Sequence, residues 1–301
     1  MPELPEVEVI VRGLKEKIVG HNIKSIEVRY PKVVGGDIDN FQKNVVGAKI
    51  VRVERRGKLI IVHLSNGNVI LIHLKLTGQL IYIDKAGNGY KGGHSQKAMD
   101  LPPPNKFTHI TLNFEDGSRL YFNDLRRFGW MKVVSEREYK SGEGITKKIL
   151  DGIGPDPTLK EYDVREFVKN VKRRSKSSIY QVLMDQKVIS GLGNIYVNEL
   201  LWRCKINPQT KAGILSSTQI AKLSNNIGPL LADAIKYGGS SANTFVKIDG
   251  SKGTFTEHLD VYHREGEPCH RDDGGTIKRI KMGGRSAFYC PVCQTNTSLS
   301  S

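Results

Sequence analysis

The first six residues, Met1-Pro2-Glu3-Leu4-Pro5-Glu6, bring together groups that could do chemistry. Methionine before a small second residue is usually trimmed, which would leave Pro2 as a secondary amine on a rigid ring. An α-amino group titrates at ~7.7–8.0, so part of the population is unprotonated at neutral pH. Such an amine condenses with an aldehyde-like carbon to an iminium ion, an electron sink for elimination. Glu3 and Glu6 follow within one helical turn and supply two carboxyl groups for moving protons. The same residues also read as an ordinary helix start, with proline and acids suited to the first turn. Taken alone, they favour that ordinary reading.

Other stretches add binding chemistry. Val164–Lys176 carries Arg165, Lys169, Lys172, Arg173, Arg174 and Lys176 against the single acid Glu166, and runs into a helical hairpin. A basic face in that place suits phosphate clamping, although charge runs are often only solvated. In Ser190-Gly191-Leu192-Gly193-Asn194 two glycines let backbone amides approach an anion, and a helix start at Asn194 adds donors. Asp124-Leu125-Arg126-Arg127-Phe128-Gly129 reads either as surface arginines beside a core ring or as a wedge for a stacked duplex. Arg55-Arg56-Gly57-Lys58 has the form of a basic hairpin turn, and His73 that of a histidine at a strand end.

The tail holds Cys269-His270-Arg271-Asp272-Asp273 and then Cys290-Pro291-Val292-Cys293. The second pair is half of a zinc knuckle. A fourth cysteine is expected at 272, where this chain has aspartate. Three thiolates with Asp272, His270 or Asp273 would complete a tetrahedral zinc site, since carboxylate and imidazole are also zinc ligands. A metal-free hairpin is the alternative.

These groups need elements to position them. The 301-residue chain is long enough for two cores, and its formal charge of +15 points to a polyanionic partner. No long apolar run or signal-peptide core is present, so a cytoplasmic, membrane-free protein is expected. Val7, Ile10, Val11, Leu14 and Ile18 predict a helix over 3–18, ended by Gly20. From Asn22 to Val134, short alternating runs such as Ile23–Val28, Leu59–Leu64 and Ile110–Phe114 predict an antiparallel sandwich or barrel. Residues 84–106 read as a mobile surface loop and 135–160 as a linker. Glu161–Lys172, Ser178–Lys187, Asn194–Arg203 and Thr218–Tyr237 predict helices. A polar loop follows at 238–254, and Leu259–Cys293 reads as a hairpin tied at its base. The expected class is α+β, with domains over 1–134, 161–255 and 256–301.

The whole resembles the bacterial formamidopyrimidine-DNA glycosylase family. The likeness covers nearly the full chain, through MPELPEVE at 1–8, RRGK at 55–58, HLKLTGQL at 73–80, NDLRRFG at 123–129, SGLGNIYVNE at 190–199 and GGRSAFYCPVC at 283–293. The resemblance implies a helix plus β-sandwich, then a helix–two-turn–helix domain with a zinc finger. It implies a monomer acting on duplex DNA as glycosylase and abasic-site lyase. Pro2 is then the nucleophile, Glu3 the proton donor to the sugar ring, Glu6 a supporting carboxylate, Lys58 a proton donor in elimination and Arg285 the finger arginine. His73, Lys176 and Asn194 fall on DNA-contacting positions. Leu76, where the family usually has methionine, would join Arg127 and Phe128 in filling the hole left by a flipped base.

The complete 238–254 loop and the Glu3-Leu4-Pro5 start favour oxidised purines over the oxidised pyrimidines of the endonuclease VIII branch. A catalytically silent lesion-binding protein is the remaining reading. The zinc motif departs from the family: its second cysteine is missing, and the Cys269–Cys290 spacing is one residue longer.

Overall fold

Residues Leu4–Ile18 form α1 in the computed structural model, which describes residues 2–94, 99–160, 162–240, 245–246 and 253–295. Met1 and most of the 238–254 loop lie outside the described residues, as do residues 95–98 of the 84–106 loop. The α1 stripe of Val7, Ile10, Val11, Leu14 and Ile18 is buried. Each such side chain contributes about 1.5–3 kcal/mol relative to exposure. Val19 leaves helical dihedrals and Gly20 turns the chain at φ +92.

The N-terminal compact unit comprises Met1–Leu150 and Ile235–Thr256. After α1 come β1 (Ile23–Val28), α2 (Ile38–Val45), β2 (Ile50–Arg56), β3 (Leu59–Leu64), β4 (Asn68–His73), β5 (Gly78–Ile83) and β6 (Gly89–His94). They are followed by β7 (Thr108–Phe114), β8 (Arg119–Asp124), β9 (Trp130–Ser135), α3 (Glu136–Ser141) and α4 (Gly144–Leu150), and β10 (Phe245–Val246) closes the unit. The strands make a four-stranded sheet, β2-β3-β4-β9, and a six-stranded sheet, β1-β7-β8-β5-β6-β10, with every pairing antiparallel. Period-2 alternation sends Ile60, Val62, Ile70 and Ile72 of one sheet, and Ile110, Leu112, Leu120 and Phe122 of the other, into one core with α1. This is the antiparallel sandwich with its N-terminal helix.

The expected loop at 84–106 needs correction in part. Gly89–His94 is a strand, paired with β5 from Ile83↔Gly89 to Gln79↔Gly93. Its glycines carry no side chains to display an alternation, so the pattern is invisible in the sequence. The 135–160 stretch likewise carries the two short helices α3 and α4.

The second unit comprises Asp151–Ala234 and Glu257–Ser301. It contains α5 (Val164–Lys172), α6 (Ile179–Met184), α7 (Asn194–Cys204), most of α8 (Ser217–Lys236), and a hairpin of β11 (Lys278–Met282) and β12 (Arg285–Tyr289). Residues 235–256 thus pack with the sandwich, although α8 leads into them. Trp202 of α7 joins Val261, Cys269, Ile277, Phe288 and Cys290 in a small core under the hairpin. Hydrogen bonds fasten the two parts. The Glu199 carboxylate accepts from the N–H groups of Asp260, Val261 and Tyr262 at 2.8, 3.1 and 2.9 Å. Burial pushes that carboxyl up to about 7, against the pull of those donors. Asn198 Oδ1 accepts from Phe288 N–H at 2.6 Å, and Gln294 Nε2 donates to the Ile206 carbonyl at 2.9 Å.

One tight turn decides where part of the site lies. Between β4 and β5 the chain reverses through Leu74–Gly78, and a Cβ on Gly78 would run into the Leu74 carbonyl oxygen and stand 2.8 Å from the Leu74 Cα. Gly78→Ala is expected to cost about 1–3 kcal/mol, because the opposing atoms are backbone and cannot rotate away. Gly89→Ala, with nothing within 4 Å, is the control. Denaturant unfolding of both variants checks this, and equal midpoints would remove the steric argument.

Candidate active site and metal centre

Pro2 is buried immediately before α1, and Glu3 is the residue that caps the helix. Glu3 and Glu6 are only 4% and 2% exposed, so neither is a solvated first-turn acid. Glu6 Oε2 accepts the Glu3 N–H at 2.9 Å. Its Oε1 accepts the Ser240 N–H and hydroxyl at 2.7 and 2.9 Å. One carboxylate therefore joins the helix start to the segment entering the 238–254 loop. Ser240 carries no signal of this role in the sequence beyond its place in GGSS.

The RRGK stretch is not a solvated basic turn. Arg55 on β2 lies against Glu8 of α1, Nε to Oε2 2.7 Å, with its side chain 6% exposed. Burial alone would raise the Glu8 carboxyl, but the Arg55 and Arg12 guanidiniums outweigh it and hold it below its usual range. Lys58 follows in the β2–β3 turn and is itself buried. Its charge reaches His73. Burial first, then the charges of Lys75 and Lys58, push the His73 imidazole down to about 3. His73 Nδ1 accepts the Lys75 N–H at 3.0 Å, which assigns the remaining proton to Nε2.

Leu76, Arg127 and Phe128 sit on two turns held by one buried carboxylate. Asp124, 1% exposed, accepts from the Thr77 hydroxyl, from Arg126 N–H at 3.1 Å and from Gly129 N–H at 2.7 Å. Thr77 follows Leu76, and the Asp124 bonds to Arg126 and Gly129 bracket Arg127 and Phe128. Phe128 is 53% exposed, so the core reading of that ring does not hold. Asp124 belongs to the NDLRRFG motif, but sequence reasoning does not single it out. Its mark in the sequence is an Asp five residues before a Gly around two basic residues.

In the second unit, Gly193 rather than Asn194 caps α7, and Asn194 opens the helix. The Asn194 Oδ1 accepts from the Tyr180 hydroxyl and from Asn198 Nδ2 at 3.3 Å. Both bonds use the oxygen, which fixes the amide with its N–H₂ on the opposite side. Lys176 is exposed in the turn between α5 and α6, beside exposed Lys172 and Arg173. Met282 pairs with Arg285 across Gly283-Gly284, at φ +56 and +77. This is a two-residue turn that demands left-handed backbone. Arg285 is thereby presented, exposed, at the hairpin tip.

At the base of that hairpin the geometry picks one carboxylate. Donor atoms of Cys269, Asp273, Cys290 and Cys293 all lie within 4.8 Å of one another. Cys269 Sγ is 4.0 Å from Cys293 Sγ, and Cys290 Sγ is 3.5 and 3.4 Å from the two Asp273 oxygens. Zn–S and Zn–O bonds of ~2.3 and ~2.0 Å at tetrahedral angles place sulfurs about 3.8 Å apart, and sulfur and oxygen about 3.5 Å apart. The donors fit zinc. A Cβ on Gly275 would overlap Cys290 Sγ and stand 2.8 Å from Asp273 Oδ1, so the cradle admits no larger residue.

Asp272, the position favoured by spacing, is outside the cluster. It is a turn residue at φ +52, with its N–H bonded to the Cys269 carbonyl at 3.1 Å. The extra residue between Cys269 and Cys290 is taken up there, moving the ligand position to Asp273. His270 turns instead to Asp260, Nδ1 to Oδ1 3.0 Å.

Two outcomes follow from this geometry. Elemental analysis should find about one zinc per chain in wild-type and Asp272→Asn protein, and a large loss in Asp273→Ala. Equal zinc in the two variants would return the fourth ligand to the open candidates. For His73, the folded value near 3 lies below the usual 6.5. Its protonation therefore favours unfolding: the stability it contributes is complete above pH 6.5 and is lost as pH falls toward 3. Imidazole NMR shifts of His73 should stay flat from about pH 5 to 8, in keeping with the burial that lowers it. An inflection near neutrality would contradict the buried, neutral ring.

Known proteins share this arrangement across its whole length. The sequence profile of the formamidopyrimidine-DNA glycosylase N-terminal domain matches residues 1–131, and that of the formamidopyrimidine-DNA glycosylase H2TH domain matches 153–246. The zinc finger found in FPG and IleRS matches 266–296. Formamidopyrimidine-DNA glycosylase of Pelotomaculum thermopropionicum is 39% identical over 295 residues, covering 98% of this chain and 99% of that one. The Roseobacter denitrificans enzyme is 37% identical over 98% of this chain and 100% of its own. Among solved structures, Lactococcus lactis Fpg with an abasic site containing DNA superposes with a TM-score of 0.83 at 33% identity, over 98% of this chain and 100% of that one. A point mutant of the same Lactococcus lactis protein, in complex with a Fapy-dG containing DNA, gives 0.84 at 34%, over the same shares. The chain belongs to the formamidopyrimidine-DNA glycosylase family.

Proposed function

We propose that this protein excises oxidised purines, 8-oxoguanine and formamidopyrimidines, from duplex DNA and then cleaves the strand at the abasic site. The observation that carries the reading is the burial of Pro2 at the head of α1 beside two buried carboxylates, Glu3 and Glu6. With Met1 removed, the Pro2 nitrogen is an amine held by a helix start. It attacks C1′ of the lesion nucleotide, the glycosidic bond breaks, and the base leaves with a proton. Glu3 protonates the ring oxygen, the sugar opens, and an iminium ion links Pro2 to C1′. Loss of the C2′ proton expels the 3′ phosphate, and a second elimination expels the 5′ phosphate. Water then releases Pro2. Lys58 donates protons to these eliminations, and Glu6 keeps Glu3 and the loop entrance in register.

A base stacked in a duplex is out of reach, so the nucleotide must be flipped. Exposed Phe128, Leu76 and Arg127 are suited to occupy the gap and face the opposite base. His73 Nε2–H, the Asn194 amide, Lys176 and Arg285 are donors for backbone phosphates, and Asp124 and the zinc cradle fix the turns that carry them. Bound zinc would supply the positive charge that keeps three thiols and a carboxylate together under the hairpin. Cys269, Asp273, Cys290 and Cys293 would hold it. The +15 charge supports a DNA partner with strong salt dependence, and with it residence on the nucleoid. No helix among the described residues is long and apolar enough to cross a membrane.

Borohydride reduction tests this directly. Protein with a confirmed N-terminal Pro2 should form a covalent adduct with a duplex containing 8-oxoguanine, and Pro2→Gly or a version retaining Met1 should not. Adduct formation only on an oxidised pyrimidine would move the enzyme to the endonuclease VIII branch. No adduct on either lesion would leave a lesion-binding protein.

A further inference from the structure

We propose that Tyr30 positions Arg127 and so governs how strongly the enzyme discriminates among bases opposite the lesion. The inference rests on the reading above that Arg127 faces that base, and it adds a residue that none of the family motifs in this chain contains. Arg127 has φ +58, a left-handed conformation that L residues seldom adopt. Such an outlier persists where its surroundings over-determine it.

Here the surroundings form a closed circuit. On the backbone side, Asp124 takes the N–H groups of Arg126 and Gly129, on either side of Arg127 and Phe128, at 3.1 and 2.7 Å. On the side-chain side, the Arg127 guanidinium lies 5.0 Å over the Tyr30 ring. Tyr30 in turn packs against His109, with ring centroids 5.6 Å apart and planes tilted by 51°. His109 is buried and donates Nε2–H to the Asp124 carbonyl at 2.7 Å, which completes the circuit. Tyr30 is also half-buried against the sandwich core, so the ring is a fixed platform rather than a surface side chain.

The chemistry of this contact suits recognition. A guanidinium drawn to an aromatic face keeps its charge and loses rotational freedom. Its N–H edge then points along the ring plane, free to pair with a base edge. An arginine ordered before DNA binds does not have to be ordered on binding, so more of its hydrogen-bond energy appears as discrimination. Removing the ring leaves Arg127 able to bind but without a preferred direction.

The test uses full-length enzyme with Pro2 as first residue and single-turnover excision of 8-oxoguanine opposite each of the four bases. Tyr30→Leu should narrow the ratio between best and worst opposite base about two- to fivefold, the worth of an exposed cation–π contact. Most of that loss should fall on the best base. Tyr30→Phe should retain the wild-type ratio. Cleavage of an abasic site in single-stranded DNA, which has no opposite base, should be unchanged in both variants. Fluorinated phenylalanines at position 30 keep the shape while weakening the ring's charge. They should narrow the ratio progressively, and they provide the reading even where Tyr30→Leu does not fold. An unchanged ratio in Tyr30→Leu, or a flat fluorination series, overturns the inference. So does an equal loss on all four pairs and on single strands, which would make Tyr30 merely structural. Failure of wild-type protein to cleave the single-stranded abasic site would instead overturn the proposed function.

Discussion

The structure of the reactive end depends on the Glu6 carboxylate. A terminal amine has no chain before it to hold it in place, so its restraint must come from residues that follow. A buried, unpartnered carboxylate would cost several kcal/mol. Glu6 meets that cost with donors from two distant parts of the chain, the Glu3 N–H and the Ser240 N–H and hydroxyl. The first bond satisfies one of the orphan donors at the helix start, where an upstream cap is unavailable. The others bring the Gly238–Ser240 segment against the first turn. The next acid along the helix, Glu8, is tied in the same way to Arg55 at the foot of the hairpin that carries Lys58. Two acids of one helix turn thus gather the loop entrance and the basic hairpin around Pro2.

Asp124 and Glu199 repeat the device elsewhere. Each is a buried carboxylate whose oxygens collect N–H donors from a non-repetitive segment, 126–129 in one case and 260–262 in the other. Backbone in a tight turn has donors that cannot pair within a sheet or helix. Meeting them with one acid fixes the turn's shape. The consequence is functional as well as structural, since these turns present Arg127 and Phe128 or lead into the metal-bearing tail. A loop built this way can hold an exposed aromatic ring and a left-handed arginine without support from solvent-facing side chains.

Much of this is legible in the sequence, for reasons that differ from residue to residue. The α1 face and the β3 and β7 strands declare themselves through spacing, because burial on one side leaves a period in the residue types. The pairing of Pro2 with Glu3 and Glu6 is local and can be read from six letters. Phe128 cannot be assigned that way, since a lone ring beside two arginines has the same pattern whether buried or exposed. Lys58 reads as a solvated turn because nothing local reveals that Arg55 is paired to a helix 47 residues away. Ser240 and Tyr30 are silent for the same reason: their partners, Glu6 and Arg127, are distant in sequence. The strand over 89–94 is hidden by its glycines. At the metal centre, counting residues points to Asp272, but the single extra residue is absorbed in a left-handed turn that spacing alone does not show.

That last displacement bears on how a finger can lose a thiolate and keep its place. A carboxylate is a poorer soft ligand than a thiolate, so a site with Cys269, Cys290, Cys293 and Asp273 has less metal affinity available to hold the hairpin. The hairpin is not held by metal alone. Asn198 bonds the backbone of β12, Glu199 bonds the segment entering the finger, and Gln294 bonds Ile206 beyond α7. Trp202 Nε1 donates to Cys269 Sγ at 3.4 Å, while Arg271 lies 4.0 Å over the same indole. These contacts reach the finger from successive turns of one helix and from both its ends, which is enough to define orientation as well as attachment. The metal's remaining task is narrower: it closes the base of the hairpin and neutralises Asp273 and the thiols there. Orientation of Arg285 is set chiefly by α7, and an aspartate in the metal set can be borne because so little of the finger's position depends on it.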